Sequence, residues 1–352
     1  MQEILNEREK TILKNIIHSF IHTATPVGSR FISKNKEIGL SPATVRNVMS
    51  DLEELGYINH PHTSAGRIPT DKGYRFYVDA LMEVEQLSQQ EQSVIQKQLT
   101  IEAEREELLR VASKILGTIS HQLGIVLAPK ITTGIFEKLE LVQISSTHIM
   151  VILSIRSGVV KTIMMEVHAE IPRTKLEDVS RMLNERLAGL PLKKIRETFS
   201  ARVKDVHNEE TGLIRLFIES VDKLFDETRT REKVHIGGTS EIITQPEFET
   251  MENFRGVIEL LDNEEIIVHV LEKSELKNST QPITVTIGKE NNDEKFQQYS
   301  IVTSTYNVGD ISGTIGILGT KRMNYSKMIP LVDYVAKTIS IMLNTFVARV
   351  TS

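Results

Sequence analysis

The stretch Leu40-Ser41-Pro42-Ala43-Thr44-Val45-Arg46-Asn47-Val48-Met49-Ser50-Asp51-Leu52-Glu53-Glu54-Leu55-Gly56 decides the reading of this chain. Ser41 suits an N-cap, because its hydroxyl oxygen can accept from a free amide of the first turn. Pro42 suits the first helical position, where no amide donor is needed. Gly56 stands where a helix would stop. At 100° per residue, Val45, Val48, Met49, Leu52 and Leu55 fall on one side. Ala43, Asn47, Ser50 and Glu54 fall opposite them, with Arg46 on the flank.

Working outward, the residues on either side complete a helix-turn-helix pattern. Asn6 and Glu9 have capping-box spacing ahead of the stripe Ile12, Leu13, Ile16, Ile17, Phe20 and Ile21. Thr25-Pro26-Val27-Gly28 ends that helix, and a short second helix is expected over Ser29–Lys34. After Gly56, a strand at Tyr57–His60 leads into the turn-rich run Pro61-His62-Thr63-Ser64-Ala65-Gly66-Arg67-Ile68-Pro69, the layout of a wing. In a winged helix-turn-helix the third helix presents its N-terminal residues to base edges, and the wing touches the backbone or minor groove. Asn47 can pair with adenine and Arg46 with guanine. Ser41 and Thr44 lie in the first turn, where free amides favour a phosphate. The DNA-contact set expected is therefore Ser41, Ala43, Thr44, Arg46, Asn47 and Ser50, with Arg67 from the wing. Asp51, Glu53 and Glu54 crowd the other end, so the helix should enter the groove N-terminus first.

Charge and composition fit a small DNA-binding unit on a larger acidic protein. The 352 residues carry a formal net charge of -5, with no cysteine and no tryptophan. Residues 1–75 hold ten Lys/Arg against eight Asp/Glu, which leaves about -7 on the remainder. Without cysteine, disulfide frames, zinc ribbons and thiol nucleophiles are excluded, and a reducing cytoplasm is the expected compartment. The charged amphipathic start MQEILNEREKTILKN does not suit a signal peptide. Runs free of Asp, Glu, Lys and Arg, such as 115–129 and 141–155, fall short of the ~20 apolar residues that span a bilayer.

Beyond the wing, residues 72–116 are rich in Glu, Gln and Leu and suggest a connecting helix. Its stripe Tyr74, Tyr77, Leu81, Val84 and Leu87 could face a partner chain or its own domain. Strands are expected at Leu139–Ser145, His148–Ile155 and Val159–Val167. A helical block follows. Thr174 with Glu177 should cap a first helix, Leu192, Ile195 and Phe199 mark a second, and Leu213, Leu216, Phe217, Val221 and Leu224 a third. Strands return at Glu265–Leu271, Ile283–Ile287, Tyr299–Thr305 and Ile311–Leu318. A final helix should bury Met328, Leu331, Val332, Val335, Ile339, Leu343 and Phe346. Strands, helices and strands again describe an α+β multidomain chain whose α+β domain carries an inserted helical module.

The run 40–58 and the run from His62-Thr63-Ser64-Ala65-Gly66-Arg67-Ile68-Pro69-Thr70-Asp71-Lys72-Gly73-Tyr74-Arg75-Phe76-Tyr77-Val78-Asp79 resemble the heat-inducible transcription repressor HrcA family. Chain length and the downstream layout are similar to that family as well. The resemblance implies a winged helix-turn-helix at 1–75, a connecting helix at 76–110, a GAF-like domain at 111–170 and 232–352, and an inserted dimerising module at 171–231. It also implies a homodimer that binds double-stranded DNA at an inverted repeat, the CIRCE operator of chaperone operons. Such a repressor is kept active by the GroEL chaperonin and loses activity on heat stress. It implies no enzyme activity, no cofactor, no metal and no membrane. The alternative left open is a winged-helix repressor controlled by a small molecule in the GAF-like domain.

Other motifs are weaker. Gly309, Gly313, Gly316 and Gly319 lack the Gly-Lys-Ser/Thr ending of a phosphate loop and suit bends beside a strand. Ile236-Gly237-Gly238-Thr239 reads as a turn. His60 and His62 have no cysteine and no evident carboxylate partner, so a wing or phosphate contact is the stronger reading than a metal pair.

Overall fold

A computed structural model of the chain describes residues 5–35, 38–61, 66–100, 105–167, 170–206, 212–225, 234–277 and 282–351. The helices and antiparallel strands make an α+β protein with two compact units. Among the described residues, no helix is long and apolar enough to cross a membrane.

The first unit comprises Met1–Val126, Val234–Ser304 and Thr314–Ala336. It begins with α1 (Glu7–Thr23), α2 (Ser29–Ile32) and α3 (Pro42–Glu54), then a two-stranded ribbon of β1 (Ile58–Asn59) and β2 (Ile68–Pro69). The Asn6/Glu9 capping box forms as the spacing predicts, with Asn6 N donating to Glu9 Oε2 at 2.8 Å and Glu9 N to Asn6 Oδ1 at 3.0 Å. Ile12, Leu13, Ile16, Ile17 and Ile21 are buried against the Val45, Val48, Met49 and Leu52 side of α3.

The expected connecting helix is not continuous. α4 (Asp71–Phe76) runs into a π-helical turn at Tyr77–Leu81, and an extended stretch follows before α5 (Gln89–Thr100) and α6 (Arg105–Ser120). Tyr74 and Tyr77 are buried within their own chain, Tyr74 with its ring centroid 6.0 Å from that of Tyr325, whereas Val84 is exposed. The extended stretch breaks the helical phase that linked these positions.

Behind these helices lies a five-stranded sheet in the order β7-β3-β10-β9-β8, from β3 (Leu123–Leu127), β7 (Val234–Gly237), β8 (Ile283–Ile287), β9 (Tyr299–Val308) and β10 (Ile311–Thr320). Residues 305–313 at the β9–β10 turn group with the second unit. The run at 265–271, expected as a strand, is instead within a helix, α13 (Glu264–Lys277). Its β-branched residues suggest a strand, but the buried Ile267, Val270 and Leu271 have helical spacing. Before it come α11 (Thr239–Ile242) and α12 (Met251–Asp262), and after the sheet α14 (Tyr325–Thr351). Met328, Leu331, Val332, Val335, Ile339 and Leu343 are buried on α14, while the Phe346 side chain lies outside the described residues.

The second unit comprises Leu127–Lys233, Thr305–Gly313 and Lys337–Ser352. It contains an antiparallel sheet of β4 (Phe136–Ser145), β5 (His148–Ile155) and β6 (Val160–Glu166), followed by α7 (Arg173–Leu187), α8 (Leu192–Arg202), α9 (Leu213–Glu219) and α10 (Val221–Phe225). Asn184 of α7 donates to Leu139 O at 2.9 Å and accepts from Leu139 N at 2.7 Å, fixing that helix on β4. The boundary expected at residue 171 thus falls inside this unit. Thr174 is not the cap: α7 starts at Arg173 behind Pro172, and Glu177 is taken by Arg173 at 2.8 Å. The third expected helix is split at Ser220 into α9 and α10. Phe199, Phe217 and Phe225 pack together at its core, with ring centroids 5.5–6.4 Å from Phe199.

Candidate nucleic-acid interface

The N-terminus of α3 is built by its own sequence. Ser41 has an extended backbone (φ -68°, ψ 153°), its Oγ accepts from Thr44 N at 3.1 Å, and Pro42 opens the helix. The two hydroxyls, Ser41 Oγ and Thr44 Oγ1, lie 2.9 Å apart. No acidic residue falls in the first turn, so the positive end of the helix dipole is unopposed there. Ala43, Arg46, Asn47 and Ser50 are exposed, Ser41 is exposed and Thr44 half-buried. These six expected contacts therefore share one accessible surface. Arg46 and Asn47 have no hydrogen-bond or ion-pair partner among the described residues, which leaves their donors and the Asn47 acceptor available.

Arg67 is positioned differently from the other six. Its backbone pairs with Val27, with Val27 N donating to Arg67 O at 2.8 Å and Arg67 N to Val27 O at 2.9 Å. Its Nη2 binds Glu53 Oε2 at 2.7 Å, and His60 Nδ1 binds the other Glu53 oxygen. The carboxylate near the C-terminal end of α3 is thus shared by two basic side chains. That reduces the repulsion expected from Glu53 while holding the Arg67 guanidinium back against the protein. His60 accordingly does have a carboxylate partner, one that lies seven residues upstream. His62, Thr63, Ser64 and Ala65, the tip of the expected wing, lie outside the described residues.

If Glu53 restrains Arg67, Glu53→Gln should free a cation next to the helix. The expected result is tighter non-specific DNA binding and a slope of log K against log salt steeper by about one. A slope equal to the parent's, measured by salt titration, would mean that Arg67 does not reach a phosphate.

The short helix expected over Ser29–Lys34 forms as α2, although no contact residue was assigned to it. Arg30 and Phe31 on it, and Lys34 just after it, are exposed, Phe31 to 59%. The signal available was the helical spacing, which puts Ile32 inward and Phe31 outward.

The base of this region is tied to the sheet-bearing part of the same unit. Asp71, the first residue of α4, accepts from Lys321 Nζ at 2.7 Å and from Lys289 N at 3.0 Å. Arg75 donates through Nε to Glu290 Oε1 at 2.7 Å and through Nη2 to Val285 O at 2.7 Å. Arg322 reaches Ile21 O at 2.6 Å while pairing with Glu247 at 2.6 Å. Gly288 (φ +55°) passes so close that a Cβ there would stand 2.1 Å from Asp71 Oδ2.

Comparison with known proteins gives a consistent answer. Residues 106–329 match a family model described as the HrcA protein C terminal domain. A "Heat-inducible transcription repressor HrcA" from Chlorobium phaeobacteroides (strain BS1) is 40% identical over 344 residues, covering 96% of this chain and 97% of the relative. One of the same description from Chlorobium chlorochromatii (strain CaD3) is 43% identical over 340 residues with the same coverage. A crystal structure known only as that of a hypothetical protein shares the fold. Its TM-score is 0.57 at 23% identity, over 97% of this chain and 99% of that one.

Proposed function

Because the chain belongs to the HrcA family of heat-inducible transcription repressors, we propose that it represses chaperone operons as a homodimer bound to an inverted-repeat operator of the CIRCE type. Repression of transcription in the heat-shock response is what the family does, and it is not an enzymatic activity. In this reading residues 1–75 are a winged helix-turn-helix, with α3 as the recognition helix. The five-stranded sheet with its helices is the GAF-like domain, and the second unit is the dimerising module.

The observation that carries the DNA-binding reading is the exposed, capped, acid-free N-terminal end of α3 with Arg46 and Asn47 unpaired on it. Self-association is supported by the outer face of β4–β6. There Val142, Met150 and Met164 stand in register across three strands, and Val142 and Met164 are exposed to 37% and 44%. A two-fold dimer reads a palindrome with half-site spacing set by its own geometry.

We further propose that the GroEL chaperonin maintains the active dimer in the cytoplasm and that heat releases it from DNA. Operator binding followed across a heating and cooling cycle tests this. Affinity should fall on heating and recover on cooling only when chaperonin and its nucleotide are present. Equal recovery without chaperonin would end the chaperonin-dependent mechanism for this protein.

A further inference from the structure

The mild positive excess of residues 1–75 is not spread evenly. Residues 24–50 hold Arg30, Lys34, Lys36 and Arg46 against Glu37 alone, a formal +3, whereas the rest of 1–75 holds six cations against seven carboxylates. Ion pairing separates them further. Among the described residues, Lys10, Lys14, Arg67 and Arg75 pair with carboxylates, and Lys72 donates to Leu55 O at 2.7 Å. Arg8, Arg30, Lys34 and Arg46 have no partner among the described residues, and three of these four fall within 24–50. Free cations gathered in one stretch, with those elsewhere already spent, are the footprint expected where a polyanion lies.

The local backbone brings part of this stretch onto one face. α2 packs on α1 and α3, with Ile32 buried and Arg30 and Phe31 exposed. Lys34 N donates to Phe31 O at 3.2 Å and Asn35 N to Ile32 O at 3.1 Å, so the chain keeps turning past Ile32 with the tighter three-residue repeat. That repeat sets Lys34 over Phe31 on the outward side, with Arg30 next to them. Two like charges about one turn apart repel each other, and a row of phosphates relieves the repulsion. Between them the Phe31 ring, 59% exposed, offers an apolar surface. Only the turn 33–40 separates this face from the capped N-terminal end of α3, where Arg46 is also free.

We propose that α2 is a clamp on the DNA backbone beside the groove that α3 enters. Arg30 and Lys34 hold phosphates of one strand, and the Phe31 ring lies against a deoxyribose between them. The clamp reads no base. It sets the depth and register of α3, because backbone contacts position a protein on the duplex while base contacts specify the sequence. The clamp rests on the DNA-binding reading above.

Salt titrations of the full chain test it, followed by fluorescence anisotropy on a CIRCE-type inverted-repeat duplex and on a scrambled duplex of equal length. Arg30→Gln and Lys34→Gln should each flatten the slope of log K against log salt by about one per bound protomer on both duplexes. The ratio of the two affinities should stay at the parent's value. Phe31→Ala should weaken both duplexes alike, about fivefold, with the slope unchanged because no charge is lost. None of the three should lower the thermal midpoint without DNA, since each replaces an exposed side chain. The parent's slope in both charge variants would overturn the clamp, as would the parent's affinity in Phe31→Ala. A changed affinity ratio would overturn it too, by making this face a reader of bases. A parent that binds neither duplex would overturn the repressor reading along with the clamp, so the parent alone tells the two failures apart.

Discussion

Gly238→Ala is expected to destabilise the first unit by about 3 kcal/mol or more, from two additive causes. The residue follows β7 with φ +83°, a left-handed conformation that costs an L-residue with a Cβ roughly 1–2 kcal/mol. The new methyl would also stand 2.1 Å from Gln122 O and 2.6 Å from the Gly117 Cα of α6. Backbone on both sides cannot yield as a side chain would, and overpacking of this kind costs about 1–3 kcal/mol. Gly56→Ala separates the two causes. Gly56 has φ +75° with open space around its Cβ position, so only the conformational part should appear, about 1–2 kcal/mol. Denaturant unfolding of both variants checks the pair, and equal losses would defeat the argument from close approach. What the sequence reading took as a plain turn at 236–239 is the seam along which α6 lies on β7.

Asn47→Ala is expected to cost about 1–3 kcal/mol in specific operator binding, five- to more than a hundredfold in Kd, while leaving non-specific binding nearly unchanged. Asn47 is exposed in the middle of α3, four residues beyond Ala43 on the same face, and its carboxamide has no partner among the described residues. It can therefore offer a donor and an acceptor together to one base edge without first breaking a bond inside the protein. Because Val48 and Met49 beside it are buried, the substitution leaves the packing of α3 intact. Parallel titrations with operator and scrambled duplex at one salt concentration measure the effect. A specificity ratio equal to the parent's removes Asn47 from the base-reading set.

What sequence made legible was what neighbouring residues decide. The cap of α3, its buried side and its stop are set within seventeen residues, and β5 and β8 have the bounds that their alternation suggests. The reading failed where local preference met a distant partner. The Ile-Ile-Val run of α13 looks like a strand until its buried positions are known. Thr174 looks like a cap until Pro172 is seen to open α7. In the candidate interface, the outward face of α3 follows from helical phase, whereas the Arg67–Glu53 pair depends on how the ribbon folds back.

The attachment of the N-terminal segment to its own body limits how freely these parts can be exchanged. Asp71 and Arg75 are held by residues more than two hundred positions away, and Gly288 leaves no room for a side chain at the joint. A chimaera that takes only residues 1–70 from another repressor would keep this joint, while one cut after residue 75 would import a foreign one. In such grafting Asp71 and Arg75 should stay with Lys289, Glu290 and Lys321, so a border at residue 75 is a poor place to cut.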